Sequence, residues 1–519
     1  MSPASPSSPD LPASSLTSNR ASRGAKLALT AALLGWMFDG AEMGVFSLVG
    51  RAALKDLLPA DSTESTIMLY LGVITAMFLV GAATGGVLFG WLGDRIGRVR
   101  AMMLSVLCYA VFTSMCGAAT TPLQLGLMRF IASLGMGGEW SLGVALVMEV
   151  WPNRSRAFMA GLIGAAANMG YILIGFTGLV LSSLLQRIHG WLLAAGLSEA
   201  WTEHLTANNG WRLLMMFGII PALLTFFIRM FVPESEKWKE ERSEGNTSHW
   251  ATADLLGVLL GALGPALMVY AYASQQSLAF CVVATILGVA IAVIGYTYPV
   301  VRYLGRLKHS QGSSSNTETA PIIRRMLLAA CLSGVALLGT WGSTQQAPSW
   351  VNKLTEASKV DGAPVLYARE YTLIWLSFGA VIGTLISAWL GDKIGRRPAY
   401  FLQCILALGS VLLLYWGNTQ YNSMFLASAF VAGICTASFY GWLPLYLPEL
   451  FGTNVRATGQ GFGFNFGRIL AAVGTLQLGS LQMYLGGYPA ACSMLSLVYL
   501  IGMVLIWFAP ETKGKGLPD

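Results

Sequence analysis

The chain has 519 residues, of which 55% are hydrophobic and 11% charged, against about 25% charged in a soluble domain. With 59 glycines besides, this composition excludes an ordinary soluble fold and implies a polytopic all-α membrane protein, in which small residues let helices approach closely. The net charge of +7 lies in short loops between apolar runs and forms no basic stripe, which excludes nucleic acid as a partner.

The first 22 residues are rich in Ser, Pro and Ala and predict a disordered tail, extending to residue 26. They lack the apolar core of a signal peptide, so the run behind Arg20, Arg23 and Lys26 reads as an uncleaved first span. A spanning helix needs about 20 mostly apolar residues. Such runs fall at 27–49, 66–90, 100–119, 123–147, 157–183 and 212–231, then 254–273 and 277–300, then 326–347, 371–391, 399–416, 423–447, 457–480 and 489–509. The fourteen runs group as six, two and six. They predict one bundle over 27–231, a central segment 232–325 with an extra helix pair, a second bundle over 326–511 and a tail at 512–519. With the N-terminus placed inside, the loops carry 23 Lys and Arg inside and 7 outside. That bias puts both termini in the cytoplasm and the chain in the inner membrane.

A short phrase occurs twice. Gly90-Trp91-Leu92-Gly93-Asp94-Arg95-Ile96-Gly97-Arg98 returns as Trp389-Leu390-Gly391-Asp392-Lys393-Ile394-Gly395-Arg396-Arg397. Two further features repeat in the same order. Glu149 and Arg156 match Glu449 and Arg456, and Pro233-Glu234-Ser235 matches Pro510-Glu511-Thr512. Parallel repeats of this kind build two-half transporters.

These residues resemble the major facilitator superfamily, whose loop motif G-x-x-x-D-R-x-G-R is matched by Gly90 to Arg98. Asp39-Gly40-Ala41-Glu42, Arg129-x5-Gly135-x-Gly137-Gly138-Glu139 and Pro233-Glu234-Ser235-Glu236-Lys237-Trp238 are similar to segments of its proton-coupled metabolite, aromatic-acid and sialate symporters. The likeness to bacterial sialic acid transporters is strongest, since those too are read with two extra central spans. Glu42 and Arg468 depart from that group; Arg468 looks more like aromatic-acid and general metabolite transporters. The resemblance implies two six-helix bundles around a central site, with no cofactor and H⁺ as coupling ion. It implies uptake of a small organic anion, with a sialic or related sugar acid as first expectation and another monocarboxylate, an aromatic acid or a sugar as second; a transporter-like sensor that binds ligand and signals is a third alternative. The chain is expected to act as a monomer whose partners are this anion and the lipid bilayer.

A charge in the bilayer core is costly and needs a partner or a function. Asp39 and Glu42 share a helix face, and two carboxylates that close resist joint ionisation. By helix rise, Glu42 lies about 10 Å and Arg129 about 9 Å from the same side. Asp39 or Glu42 with Arg129 is therefore the expected proton-coupling switch. Arg468 suits a substrate carboxylate, which a guanidinium holds by two parallel bonds. Arg129, Asn168, Tyr171, Gln345, Gln346, Tyr440 and Asn465 complete the expected substrate site; Glu139 reads as a helix cap or a structural partner. Asp94, Arg95, Arg98, Glu149 and Arg156, with Asp392, Arg396, Glu449 and Arg456, are expected gates. Seven cysteines without a CxxC pair and four histidines in or beside loops suggest no metal site, and no P-loop is present. An enzyme is therefore not expected.

Overall fold

The computed structural model describes residues 13–151, 155–311, 319–357 and 367–518. Residues 1–12 of the expected tail, Arg154 and residues 312–318 of the polar loop lie outside them. The described residues form helices and no strand. In chain order these are α1 (Ala13–Leu57), α2 (Glu64–Ile96), α3 (Arg98–Cys116), α4 (Pro122–Val150), α5 (Arg156–Ala194), α6 (Glu199–Met216) and α7 (Ala222–Phe231). Next come α8 (Glu236–Ser243), α9 (Leu255–Ala273), α10 (Leu278–Gln311), α11 (Thr319–Gly342), α12 (Ala347–Ala357) and α13 (Ala368–Ile394). The last are α14 (Arg396–Trp416), α15 (Ser423–Ala437), α16 (Phe439–Tyr446), α17 (Arg456–Asn465), α18 (Gly467–Leu485), α19 (Tyr488–Ser496) and α20 (Val498–Leu505).

Local chemistry sets many of these ends. Thr63 and Thr121 accept from the third backbone N–H onward and so cap α2 and α4, with Pro122 at the first position of α4. The N-terminal tail is shorter than expected, because α1 begins at Ala13. Prolines recur up to Pro12 and then stop, so nothing interrupts the helix behind them.

Twelve helices among the described residues are long and apolar enough to cross a membrane, not fourteen. α9 and α10 are among the twelve. The expected runs 212–231 and 457–480 are not among them. Residues 217–221, ending in Pro221, separate α6 from α7 through a 3₁₀ turn at Phe217–Ile219, and α17 passes into α18 at Phe466, whose backbone stays in the helical region.

Helices α1–α7 pack chiefly on one another, through α2 on α4, α3 on α4 and α1 on α5; α11–α20 do the same through α13 on α15 and α11 on α18. Two seams join these sets, one between α5 and α13, the other between α2 and the pair α17 and α18. The equivalence of these seams follows the sequence repeat. α9 and α10 form an antiparallel hairpin in which Gly257, Gly261 and Gly264 meet Tyr298, Gly295 and Gly288. The hairpin lies on the α2–α18 seam. Tyr296 shares a hydrogen bond with Thr84 of α2 (2.7 Å), and Tyr272 accepts one from Gln477 of α18 (2.7 Å). Its other face, with Leu263, Ile286 and Ile294, is exposed.

Candidate functional site

At one end of the bundle, each copy of the repeated phrase turns the chain sharply between two helices. Gly97 (φ +112°) and Gly395 (φ +106°) make the turns, in a region that side chains rarely enter. Each turn is clasped by a carboxylate from the matching Pro-Glu segment. Glu234 accepts from the backbone N–H of Arg98 (2.9 Å) and Val99 (3.1 Å), and Glu511 from those of Arg396 (3.0 Å) and Arg397 (3.1 Å). Negative charge there suits the N-termini of α3 and α14. Burial pushes the Glu234 carboxyl above its usual range despite these bonds. At Glu511 burial acts in the same direction, but backbone donors prevail and hold the carboxyl low. Gly97→Ala is expected to lower stability by about 2–3 kcal/mol, from the forced φ and a collision with Glu234, read as a lower unfolding temperature in detergent. Gly395→Ala, whose Cβ would stand 3.1 Å from Glu511, is the milder partner in that measurement.

The first copy of the phrase ties the two helix sets together. Arg98 pairs with Asp94 (3.1 Å) and Glu149 (3.2 Å), and Glu149 pairs with Arg456 of α17 (2.9 Å); all four side chains are buried. Asp94 accepts from the backbone N–H (2.9 Å) and hydroxyl (2.6 Å) of Thr458, and Arg98 donates to the Thr453 carbonyl (2.8 Å). The second copy differs. Arg396 pairs with Glu449 (2.6 Å) inside its own set, and Asp392 stands with its side chain 60% exposed, 3.4 Å from Arg396. Arg156 acts electrostatically on Glu449. Arg95, expected in the gate, instead donates to Thr252 just before α9 (2.8 Å).

The charges expected in the centre separate into two groups. Glu42 and Arg129 form a buried ion pair at 2.9 Å, and the Thr113 hydroxyl faces the same carboxylate oxygen at 3.4 Å. The guanidinium of Arg129 also lies over the rings of Phe46 (4.1 Å) and Phe78 (4.7 Å). Asp39 is not part of this pair. The charged groups acting on it include Glu139, Arg468 and Glu42, and Oδ1 of Asp39 and both carboxyl oxygens of Glu139 are buried without a hydrogen-bond partner. Glu139 fits against α1 only because residue 35 is glycine; a Cβ there would collide with its carboxyl.

Arg468, in the first turn of α18, is buried with Nε and Nη1 unpartnered. Asp39, Tyr440 and Tyr171 act on it electrostatically. Its guanidinium lies 5.5 Å from the ring of Phe464, which stacks on Trp140 of α4 at 3.7 Å, nearly parallel. This aromatic stack crosses between the two helix sets. Neither Trp140 nor Phe464 was a sequence candidate, although Trp140 follows Glu139 and Phe464 precedes Arg468 by one helical turn.

The amides are mostly engaged elsewhere. Asn465 donates to the carbonyls of Gly137 (3.0 Å) and Gly461 (3.1 Å), Asn168 to Gly164 (2.9 Å) and Gln346 to Trp341 (2.9 Å). Gln345 has no side-chain hydrogen bond among the described residues. No group of three or more His, Cys, Asp or Glu side chains suited to a metal is found among them.

A family model described as "Sugar (and other) transporter" matches residues 27–249, and one described as "Major Facilitator Superfamily" matches 236–475 and 371–519. The chain belongs to the major facilitator superfamily, and it is a transporter of that superfamily rather than an enzyme. A putative metabolite transport protein of Haemophilus influenzae is 27% identical, covering 94% of this chain and 97% of its own length. A probable 4-methylmuconolactone transporter of Cupriavidus pinatubonensis is 26% identical, covering 93% and 90%. Further relatives, at 22–26% identity, are described as transporters of cis,cis-muconate and of niacin (Acinetobacter baylyi), gentisate (Corynebacterium glutamicum) and sialic acid (Escherichia coli). Among solved structures, the proton:xylose symporter XylE shares the fold with a TM-score of 0.64 at 16% identity, covering 96% of this chain and 98% of that one.

Proposed function

We propose that the protein imports a small planar carboxylate, aromatic or conjugated, together with H⁺. The observation that carries this reading is Arg468, a buried guanidinium with two unpartnered N–H groups, set among Tyr171, Tyr440 and Phe464. Such a cation holds one carboxylate by parallel bonds, and the surrounding rings suit a flat, apolar body. A sialic acid, the first expectation, carries many hydroxyls, and the amides of Asn168, Gln346 and Asn465 that would meet them are bonded to backbone carbonyls. The muconate, niacin and gentisate transporters among the relatives favour the planar acid; the sialic acid transporter keeps the sugar acid as the second reading.

In this reading the chain is a monomer of the inner membrane, with both termini and the repeated phrase on the cytoplasmic side. Residues 27–231 and 326–511 form the two moving bundles, and 232–325 carries the extra pair. The buried acids of α1 supply proton coupling, and the Asp94 and Glu149 cluster closes the cytoplasmic end while the site faces outward.

The test is uptake into proteoliposomes under an imposed pH gradient, with labelled gentisate, nicotinate, cis,cis-muconate and sialic acid offered in parallel. Gradient-dependent accumulation of one or more planar acids is expected. Accumulation of sialic acid alone would move the reading to the sugar acid, and accumulation of none would overturn it.

A further inference from the structure

Trp140 of α4 and Phe464 of α17 lie face to face across the two helix sets, with ring centroids 3.7 Å apart and planes 10° from parallel. Both side chains are buried. Aromatic rings carry negative faces, so a direct sandwich is a less favoured pairing than an offset or edge-on one. The packing around the rings explains why they are held so. The amide of Asn465 donates to the Gly137 carbonyl (3.0 Å), and that of Gln460 donates to the Ser141 carbonyl. These bonds fix α17 against α4 on both sides of the stack. Gly461 brings α17 equally close to α2, since a Cβ there would stand 2.2 Å from the Gly86 carbonyl oxygen. With the backbones pinned, the stack parts by rotation of a side chain.

Phe464 also neighbours a cation. Its ring is 5.5 Å from the guanidinium of Arg468, whose Nε and Nη1 have no partner. A small aromatic acid with its carboxylate on that guanidinium would carry its own ring at a similar distance. Two rings cannot both stack on one face of the indole, so Phe464 competes with such an acid for Trp140. Phe464 already meets Tyr440 of α16 edge-on at 6.5 Å, an arrangement that rings prefer to the sandwich.

We propose, on the reading of Arg468 as the substrate's anchor, that Phe464 holds the substrate's place on Trp140, and that the indole is the platform which selects flat acids. The incoming carboxylate bonds to Arg468, the ring of Phe464 rotates off the indole, and the substrate's ring replaces it. One stack is exchanged for another, so a flat acid loses little by entering. A puckered ring of the same size makes no such stack, and its entry costs the Trp140–Phe464 contact without return.

Equilibrium binding to the purified protein tests this with two labelled acids of similar size, benzoate and cyclohexanecarboxylate. The unaltered protein should bind benzoate about fivefold to tenfold more tightly. Trp140→Leu should narrow that preference to within about twofold. Its affinity for cyclohexanecarboxylate should stay close to that of the unaltered protein, which also shows that the variant is folded. Trp140→Phe retains a flat face and should retain most of the preference. Phe464→Ala removes the place-holder, and should keep the preference and bind benzoate at least as tightly. A preference that survives Trp140→Leu, or one lost in Phe464→Ala, would overturn the proposal. So would an equal loss of both acids in Trp140→Leu, the mark of a structural role. Gradient-driven accumulation of planar acids would stand in each of these cases. Binding of neither acid by the unaltered protein would overturn the proposal together with the reading of Arg468.

Discussion

Arg468→Ala is expected to lower affinity for the transported acid by on the order of 100-fold, the largest effect of any single change at the site. Hydrogen bonds to a charged group are each worth about 1.5–3 kcal/mol, and two are lost at once. Arg468→Lys keeps the charge but not the planar fork, and is expected to lose about tenfold. Equilibrium binding of labelled gentisate to the purified protein measures both. A melting temperature close to that of the unaltered protein would show that either variant is folded. Binding that survives Arg468→Ala unchanged would mean that the anchor lies elsewhere.

The second large effect is expected at Asp94 and not at its counterpart Asp392. Asp94→Asn removes the charge that holds the Thr458 N–H and hydroxyl across the seam, and it unbalances the buried network of Arg98, Glu149 and Arg456. Charged hydrogen bonds of this kind are worth roughly 1.5–3 kcal/mol, enough to shift a two-state equilibrium by about tenfold or more toward the form open at that end. Asp392→Asn removes only an exposed partner 3.4 Å from Arg396, and should shift the balance by less than about twofold. Distances between spin labels placed on either side of the seam read both variants. Equal shifts would dismiss the asymmetry.

That asymmetry shows where the sequence could be read and where it could not. The repeated phrase, its glycine turns and the matching Pro-Glu segments were visible as a pattern, and each has its counterpart in the fold. The different work of Asp94 and Asp392 depends on what the opposite set of helices presents. Thr458 offers Asp94 a hydroxyl; the matching position 300 residues earlier is Phe158, which has none. Comparing Arg156-Ala157-Phe158 with Arg456-Ala457-Thr458 would have revealed the difference. Depth along the helices brought Glu42 and Arg129 together on paper, and they do pair. Depth did not separate Asp39 from that pair, because its surroundings depend on the space left by Gly35 and on the helices that face it. The 3₁₀ turn before Pro221 lies inside an apolar run, and hydropathy records burial and not backbone geometry. Trp140 and Phe464 were missed because an aromatic ring in an apolar run looks like packing until its neighbour from the other set is known.

The α9–α10 hairpin makes the molecule lopsided. It braces one seam, bonded to α2 through Tyr296 and to α18 through Tyr272, while among the described residues the α5–α13 seam carries no such brace. Any swing that parts α2 from α18 must break the Tyr272–Gln477 bond or drag the hairpin along. The hairpin therefore adds to the work of opening the seam that the Asp94 cluster closes, and it must move with one set of helices when that seam parts.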